Sequence, residues 1–337
     1  MPAWLRLGPA LLLGVAAAML AALCVGRYPL PLADILRFLG AAAGLWEMPT
    51  REFDTLFNLI VRIRLPRVLA AVLVGMSLAT AGAAFQGVFR NPLVSPGLLG
   101  VLAGAAFGAA LGIVLDLPWA MVQLLAFLMG VAAVTVGVGI ATLFGNGSVI
   151  MMVLGGVISG ALFTSLLSMV KYVADPYNQL PAIVHWLMGS LALADLDQIG
   201  VLIIPIGIGV TLLCTLGRAL DALTMGDDEA RALGMPVQAL RILIVALATL
   251  ISALTVSLAG IIGWVGLIVP HIARLLVGPG NAALLPTSAA LGAGFLLAAD
   301  GISRTVATTE IPIGIVTELI GVIAFVLVLG RVRKGWL

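Results

Sequence analysis

Long apolar runs without a single ionisable side chain set the rhythm of this chain. No Asp, Glu, Lys or Arg lies between Arg90 and Asp116, between Asp116 and Lys171, or within 198–217, 242–273 and 275–299. A membrane-crossing helix needs about 20 apolar residues. The run 117–170 therefore holds two spans, broken at Gly145-Asn146-Gly147-Ser148, where the glycines interrupt helical periodicity. The pattern predicts spans near 9–26, 68–88, 97–115, 119–143, 149–170, 198–216, 238–259, 261–277, 283–300 and 311–330. These ten helices make an all-α polytopic membrane protein, a single transmembrane domain over 1–337 with both termini on one side. The first run, 9–25 after Arg6, has the outline of a secretory leader. Leu23 stands before Cys24, where a lipoprotein leader needs a small residue, so the run is expected to be a retained span.

Three segments interrupt the apolar pattern. Segment 27–67 carries Asp34, Glu47, Glu52, Asp54 and six arginines, and ends in Arg62-Ile63-Arg64-Leu65-Pro66-Arg67. Pro66 suits the first turn of a new helix, which puts Arg64 and Arg67 at the mouth of the second span, either as snorkelling anchors or as a docking patch for an acidic partner. Segment 221–235 reads as two short helices hinged at Gly226. Asp227, Asp228 and Glu229 lie in the first turn of the second, where acids suit the helix dipole, and Gly234 ends it. Such a knob fits a socket on a partner; no second acidic cluster supports a metal-dependent enzyme. Segment 171–197 is broken by Pro176 and Pro181. Its stretch 182–189 is too short to span and reads as an interfacial helix, with Tyr177 and Trp186 in the aromatic belt.

Within the spans, Gly100, Gly104, Gly108 and Gly112 recur every fourth residue, and Gly156 and Gly160 repeat the device, which lets helix backbones approach closely. Ser159, Thr164, Ser165 and Ser168 either bond back to their own helix carbonyls or line a wet path. Asp300 and Arg304 are spaced as a helical ion pair. Glu310, Gly314, Thr317, Glu318 and Gly321 fall on one face of the last span. Glu318 is the most deeply placed carboxylate; it is either paired between helices or faces a transport path.

Composition sharpens this picture. The chain is 62% hydrophobic and 9% charged, against about 25% charged in soluble domains, which excludes the soluble classes. With Lys171 and Lys334 its only lysines, it offers no nucleic-acid surface. Cys24 and Cys214 read as small buried hydrophobes, and His185 and His271 as structural, so neither a metal site nor a disulfide is expected. Arginines and lysines divide nine against eight between the two faces; the basic Arg331-Val332-Arg333-Lys334 end tilts both termini towards the cytoplasm. No P-loop, nucleophile elbow, zinc-helix or paired-cysteine motif occurs, so no catalytic residue and no bound cofactor are expected. A motor that burns ATP would be a separate chain.

Several blocks together resemble the FecCD-type permeases, the membrane subunits of ABC importers for iron-siderophores, haem and cobalamin. They are Arg64-Leu65-Pro66-Arg67, Gly75, Ala81-Gly82-Ala83, Gln86, Arg90-Asn91-Pro92-Leu93, Pro96 and Leu99-Gly100. Further on come 186–190, 227–234, Ala259-Gly260, 263–271 with Arg274, 284–286, Asp300 with Arg304, and 310–314. The resemblance covers about 27–330. It implies a homodimer in a bacterial or archaeal inner membrane, with its path at the dyad, two ATP-binding cassette subunits using ATP and Mg on the cytoplasmic side, and a periplasmic or lipid-anchored binding protein outside. In 221–235, it implies that Leu223, Met225, Gly226, Asp227, Asp228, Glu229, Arg231, Leu233 and Gly234 couple to the ATPase. Arg64, Arg67 and Arg304 correspond to arginines that face outward to dock the binding protein. Ser159, Thr164, Ser168, Gly314, Thr317 and Glu318 correspond to the translocation path, and 172–190 to the outer gate.

Two departures stand out. The family's proline in the last span is absent from Gly321-Val322-Ile323-Ala324-Phe325, and Glu318 replaces a small residue. Residues 173–183 also resemble a branch that includes molybdate and tungstate importers. The implied function is ATP-driven import of a metal chelate; the alternatives are an oxyanion importer of the same fold and a proton-coupled secondary transporter working through Glu318.

Overall fold

The computed structural model describes the backbone of residues 3–145 and 148–334 and the side chains of 8–145 and 148–327. The orientation expectation leaned on the side chains of Arg6, Arg331, Arg333 and Lys334, and the fourth-to-fifth span break on Asn146 and Gly147; these lie outside the described residues. Among the described residues, six helices are long and apolar enough to cross a membrane and four shorter apolar helices accompany them, one at each of the ten predicted positions. Among the described residues there is no strand.

The helices are α1 (Ala3–Cys24), α2 (Leu32–Ala42), α3 (Thr50–Phe57), α4 (Leu65–Val88) and α5 (Val101–Val114). Then follow α6 (Trp119–Gly145), α7 (Val149–Val173), α8 (Gln179–Leu187), α9 (Leu196–Thr215) and α10 (Gly217–Met225). The series closes with α11 (Asp227–Ala232), α12 (Val237–Ala259), α13 (Val265–Val277), α14 (Asn281–Thr305) and α15 (Ile313–Lys334).

Helix α4 is the axle. It is buried along nearly its whole length and packs on α9, α12, α13 and α14. Small residues make this possible: a Cβ at Gly75 would land on the carbonyl of Gly292 in α14, and one at Gly82 on the carbonyl of Gly266 in α13. With no hydrophobic drive between helices in lipid, such backbone contact supplies the packing. The predicted glycine stripe does the same work. Gly104 and Gly108 abut the carbonyls of Met129 and Leu125 in α6, while Gly156 and Gly160 pack on the 98–100 turn.

The structure departs from the sequence reading at three breaks. Pro66 does not open a new helix; one helical rod runs from Thr50 to Val88. Residues Asn58–Arg64 widen into a π-turn, with the Leu65 amide bonding Ile60. That widening absorbs the amide which proline lacks and the clash its ring makes one turn back. The third span starts with a 3-10 turn, Pro96–Leu99, and Gly100 at φ +84° redirects the chain into α5. The eighth span begins at Val265 rather than 261, after an irregular stretch closed by Trp264 in the left-handed region at φ +67°. Such a conformation is costly for a bulky side chain, and Trp264 is held by Gly321 and by the ring of Phe325 at 6.0 Å. Helix α15 runs unbroken, as the missing proline implies.

Trp186 is a further correction: it is buried beside Ile183 and Val256 rather than in an aromatic belt, whereas Tyr177 is exposed. Apolar surface has to be covered where it exists, and the C-terminal turn of α8 folds back onto the bundle instead of lying flat.

Candidate functional site

Three sets of residues singled out by the sequence occupy distinct places, two at opposite ends of α4 and one along the exposed flank. At the C-terminal end of α4 sits the hinged pair α10–α11. Gly226, at φ +136°, joins the two helices without a cap side chain. Asp227 is the hub: its Oδ1 accepts from Arg90 Nη2 at 3.0 Å and from Arg241 Nη2 at 2.7 Å, tying α11 to the end of α4 and to α12. The Arg241 hydrogen bond, with the charges of Arg90 and Arg231 nearby, holds the Asp227 carboxyl below the usual carboxylate range despite partial burial. Asp221 accepts from the Asn281 backbone and side-chain amides at 2.6 and 2.8 Å, fixing α10 to the start of α14.

This anchoring sorts the expected coupling residues. Leu223, Gly226 and Ala230 face inward. Met225 and Leu233, 67% and 64% exposed, point away from the bundle beside Asp228, Glu229, Arg231 and Gly234. Asp228 and Arg231 pair with each other at 2.8 Å. The result is a rigidly held knob with an apolar–acidic outer face. Arg90 and Arg241 were missed by the sequence reading. The signal was available in Arg241, a lone charge on an otherwise apolar helix, which the cost of intramembrane charge marks as partnered.

At the other end of α4, the three expected docking arginines are not on the surface: Arg64, Arg67 and Arg304 are all buried. Arg67 Nε binds Asp300 Oδ1 at 2.7 Å and its Nη1 binds Glu310 Oε2 at 2.8 Å. Arg304 Nε pairs with Asp300 Oδ2 at 3.0 Å, as the helical spacing predicts. Its two Nη atoms donate to Val25 O at 3.0 Å and Ala22 O at 3.2 Å. Arg64 donates to the carbonyls of Leu23, Cys24 and Tyr28. Two buried guanidinium groups thus satisfy the carbonyls at the C-terminal end of α1, where a helix leaves acceptors unpaired and its dipole favours cations. The physical reason for the correction is this demand for donors, which turns the arginines inward. The exposed arginines on this face are Arg27, Arg37, Arg51 and Arg62.

The path residues divide. Ser159 is buried and donates to Ala133 O in α6 at 2.5 Å, so it joins two helices instead of facing a path. Thr164 and Ser168 lie on the exposed face of α7, with Ser168 bonded back to Thr164 O at 2.9 Å. Gly314 and Thr317 are buried, Thr317 donating to Gly314 O at 3.0 Å. Glu318, one position further round α15, is exposed. It stays within one turn of Gly314 and Gly321 on that face, but its side chain is uncovered while both glycines are buried.

A backbone knot that sequence reasoning did not foresee closes the end of α15. Ile313 and Gly314 amides donate to Gly189 O and Met188 O, both at 3.1 Å, and Ser190 donates to Ala259 O at 2.8 Å. Cβ atoms at Gly189, Gly260 and Gly314 would each strike backbone of the neighbouring strand of this knot. It joins α8, the irregular stretch before α13, and α15. Among the described residues, no group of His, Cys, Asp and Glu could hold a metal ion, and both cysteines are free.

The sequence profile of the FecCD transport family matches residues 12–331. The molybdate import system permease protein MolB of Haemophilus influenzae is 36% identical over 311 residues, 92% of this chain and 91% of the relative. The hemin transport system permease protein HmuU of Yersinia pestis is 34% identical, with 98% of each chain covered. A solved structure described as a metal-chelate type ABC transporter in an inward-facing conformation superposes with a TM-score of 0.85 at 33% identity, over 97% of this chain and 99% of that one. The fold is thus shared along nearly the whole length, and the chain belongs to the FecCD transport family.

Proposed function

We propose that the chain is the permease subunit of an ATP-driven importer that moves a metal chelate, such as an iron-siderophore, haem or cobalamin, across the cytoplasmic membrane by alternating access. It works as a homodimer with two ATP-binding cassette subunits and an external binding protein, and does no covalent chemistry. The observation that carries this reading is the α10–α11 knob. Asp227 and Asp221 lock it to α4, α12 and α14, so a push on Met225, Leu233 and the acids around them passes into the bundle. The knob face is then cytoplasmic. The first residues of α1 and the last of α15 share that face, because the far ends of both helices meet at the buried arginines and the backbone knot.

On the opposite face, the binding protein meets the surface that carries α2 and α3, with Arg37, Arg51 and Arg62 exposed there. Arg64, Arg67 and Arg304 support that surface from beneath. The exposed flanks of α7 and α15, with Thr164, Ser168 and Glu318, line the path between two copies, and 172–190 gates it. An oxyanion cargo is the second reading, favoured by the likeness to a molybdate permease.

The test is co-expression with candidate ATPase and binding-protein chains, reconstitution in liposomes, and ATP hydrolysis measured with the binding protein loaded in turn with ferric siderophore, haem, cobalamin and molybdate. Stimulation by one loaded form supports the reading. Uptake that follows a proton gradient without any ATPase refutes it.

A further inference from the structure

Glu318 is left unexplained by the knob, the arginine network and the backbone knot. It lies on a stripe of α15 whose other exposed members among the described residues, Ile315, Leu319, Val322, Ile323, Val326 and Leu327, are all apolar. Among the described residues it makes no hydrogen bond and no ion pair. Five residues into the helix, it sits about 7.5 Å inward of the first residue of α15. An unpaired carboxylate at that depth is expensive in lipid, so the stripe faces water or a second copy instead. Its nearest framework is the irregular stretch before α13: a Cβ on Gly263 would lie 3.7 Å from Glu318 Oε1. Gly263 stands two residues before the first residue of α13, whose amino-terminal end attracts anions. Glu318 also lies one turn inward of Gly314 in the backbone knot.

We propose that Glu318 and its counterpart in the second copy form a carboxylate filter that admits neutral or cationic chelates rich in N–H and O–H donors, such as trihydroxamate or amide-bearing complexes, and rejects oxyanions and polyanionic chelates. The inference rests on the importer reading for the position of the path between two copies. A unit charge about 6 Å from one carboxylate, at an effective dielectric of about 20, shifts binding by about a hundredfold; water in the path reduces this, so a discrimination of at least about tenfold is expected. Among the described residues, no other charged side chain lies on the exposed stripe of α15 to cancel it.

The experiment titrates the purified permease–ATPase complex in nanodiscs with a cationic ferric trihydroxamate, a ferric tris-catecholate and molybdate, reading affinity by intrinsic fluorescence and stability by thermal unfolding. Wild type is expected to bind the cationic chelate at least about tenfold tighter than either anion. Glu318→Gln should shrink that ratio by about tenfold without moving the unfolding temperature, and Glu318→Asp should restore part of it. Equal or stronger binding of an anion by wild type, an unchanged ratio in Glu318→Gln, or no detectable binding of the cationic chelate overturns the filter. A fall in unfolding temperature with an unchanged ratio assigns Glu318 to the α13 dipole alone. If no ATPase chain associates, the importer reading fails separately, and the same ratios measured on the permease alone still decide the filter.

Discussion

Arg67 on α4 and Asp300 on α14 form a buried ion pair at 2.7 Å across a sequence separation of 233 residues. The same carboxylate takes Arg304 on its other oxygen at 3.0 Å, and Glu310 balances the second arginine through Arg67. Arg67, Asp300 and Arg304 share a space from which water is largely excluded, with the exposed Glu310 at its edge. Removing one partner from such a network leaves an uncompensated buried charge, at a cost of about 3–5 kcal/mol. Asp300→Asn is therefore expected to lower stability by that order in thermal or denaturant unfolding in detergent. In a double-mutant cycle with Arg67→Met the two losses should be less than additive, since both changes remove the same ion pair. Additive losses would mean that the two side chains are not coupled as the geometry indicates.

The same burial changes what mutations at the arginine end report. Charge reversal at Arg64 or Arg67 is expected to act through folding, because their donors are engaged within the chain. Charge reversal at Arg62, exposed and resting over the Phe57 ring at 5.8 Å, is expected to weaken capture of the binding protein without changing the unfolding temperature. Surface plasmon resonance on the two sets of variants separates these effects. Weakened capture in Arg67→Glu at unaltered stability would return the buried arginines to the docking surface.

Apolar runs of bilayer length located the apolar helices, because a bilayer imposes a single length scale on apolar sequence. The Asp300–Arg304 pair was legible for a similar reason, since helical spacing fixes which charges meet. What sequence alone could not supply was direction across space. Arg64, Arg67 and Arg304 look alike whether they face solvent or cap α1, and only the unpaired carbonyls of Ala22, Leu23, Cys24 and Val25 decide the matter. Ser159 and Thr164 are both hydroxyls on one helix; the backbone of α6 claims the first and leaves the second exposed. The knot of Gly189, Gly260 and Gly314 joins three segments far apart in the chain, and no local pattern encodes it.

Asp227 gives the α10–α11 knob a pH signature. Its carboxyl titrates below its unfolded value, held there first by the Arg241 hydrogen bond, so its contribution is present above the unfolded value of about 3.9 and is lost as pH falls through the lower folded one. Hydrogen exchange in 217–234 is expected to stay slow from neutral pH down to about 5 and to accelerate below about 4. Asp227→Asn should be fast at every pH. A wild-type profile flat through the acid range would show that the two arginines do not hold α11.

The exposed tip of that knob makes a distinct claim. Met225 and Leu233 leave most of their surface uncovered while the residues between them are anchored. Replacing Leu233 with Asp removes apolar contact area without touching Asp227 or Asp221. Uptake is expected to fall at least about tenfold, as for loss of a central interface anchor worth above about 1.4 kcal/mol, while the unfolding temperature stays put. Uptake and ATP hydrolysis that remain coupled in Leu233→Asp would remove the knob from the ATPase interface.

Gly82 and Gly139 form a matched pair for testing the axle. Both are helical glycines, and alanine at either gains intrinsic helix propensity of about 1 kcal/mol. At Gly139 the new methyl would meet open space, so that gain should appear as a small rise in stability. At Gly82 it would land on the carbonyl of Gly266, backbone that cannot swing aside as a side chain can. Gly82→Ala must push α13 away from α4, at a cost typical of overpacking, about 1–3 kcal/mol or more. The displacement also reaches Trp264, two residues before Gly266 and already in the left-handed region. Loss of stability should therefore come with altered Trp264 emission, read in a variant that keeps only this tryptophan. A Gly82→Ala protein as stable as Gly139→Ala would mean that α4 and α13 are further apart than their backbones indicate, and that the glycines of the axle are not what sets its spacing.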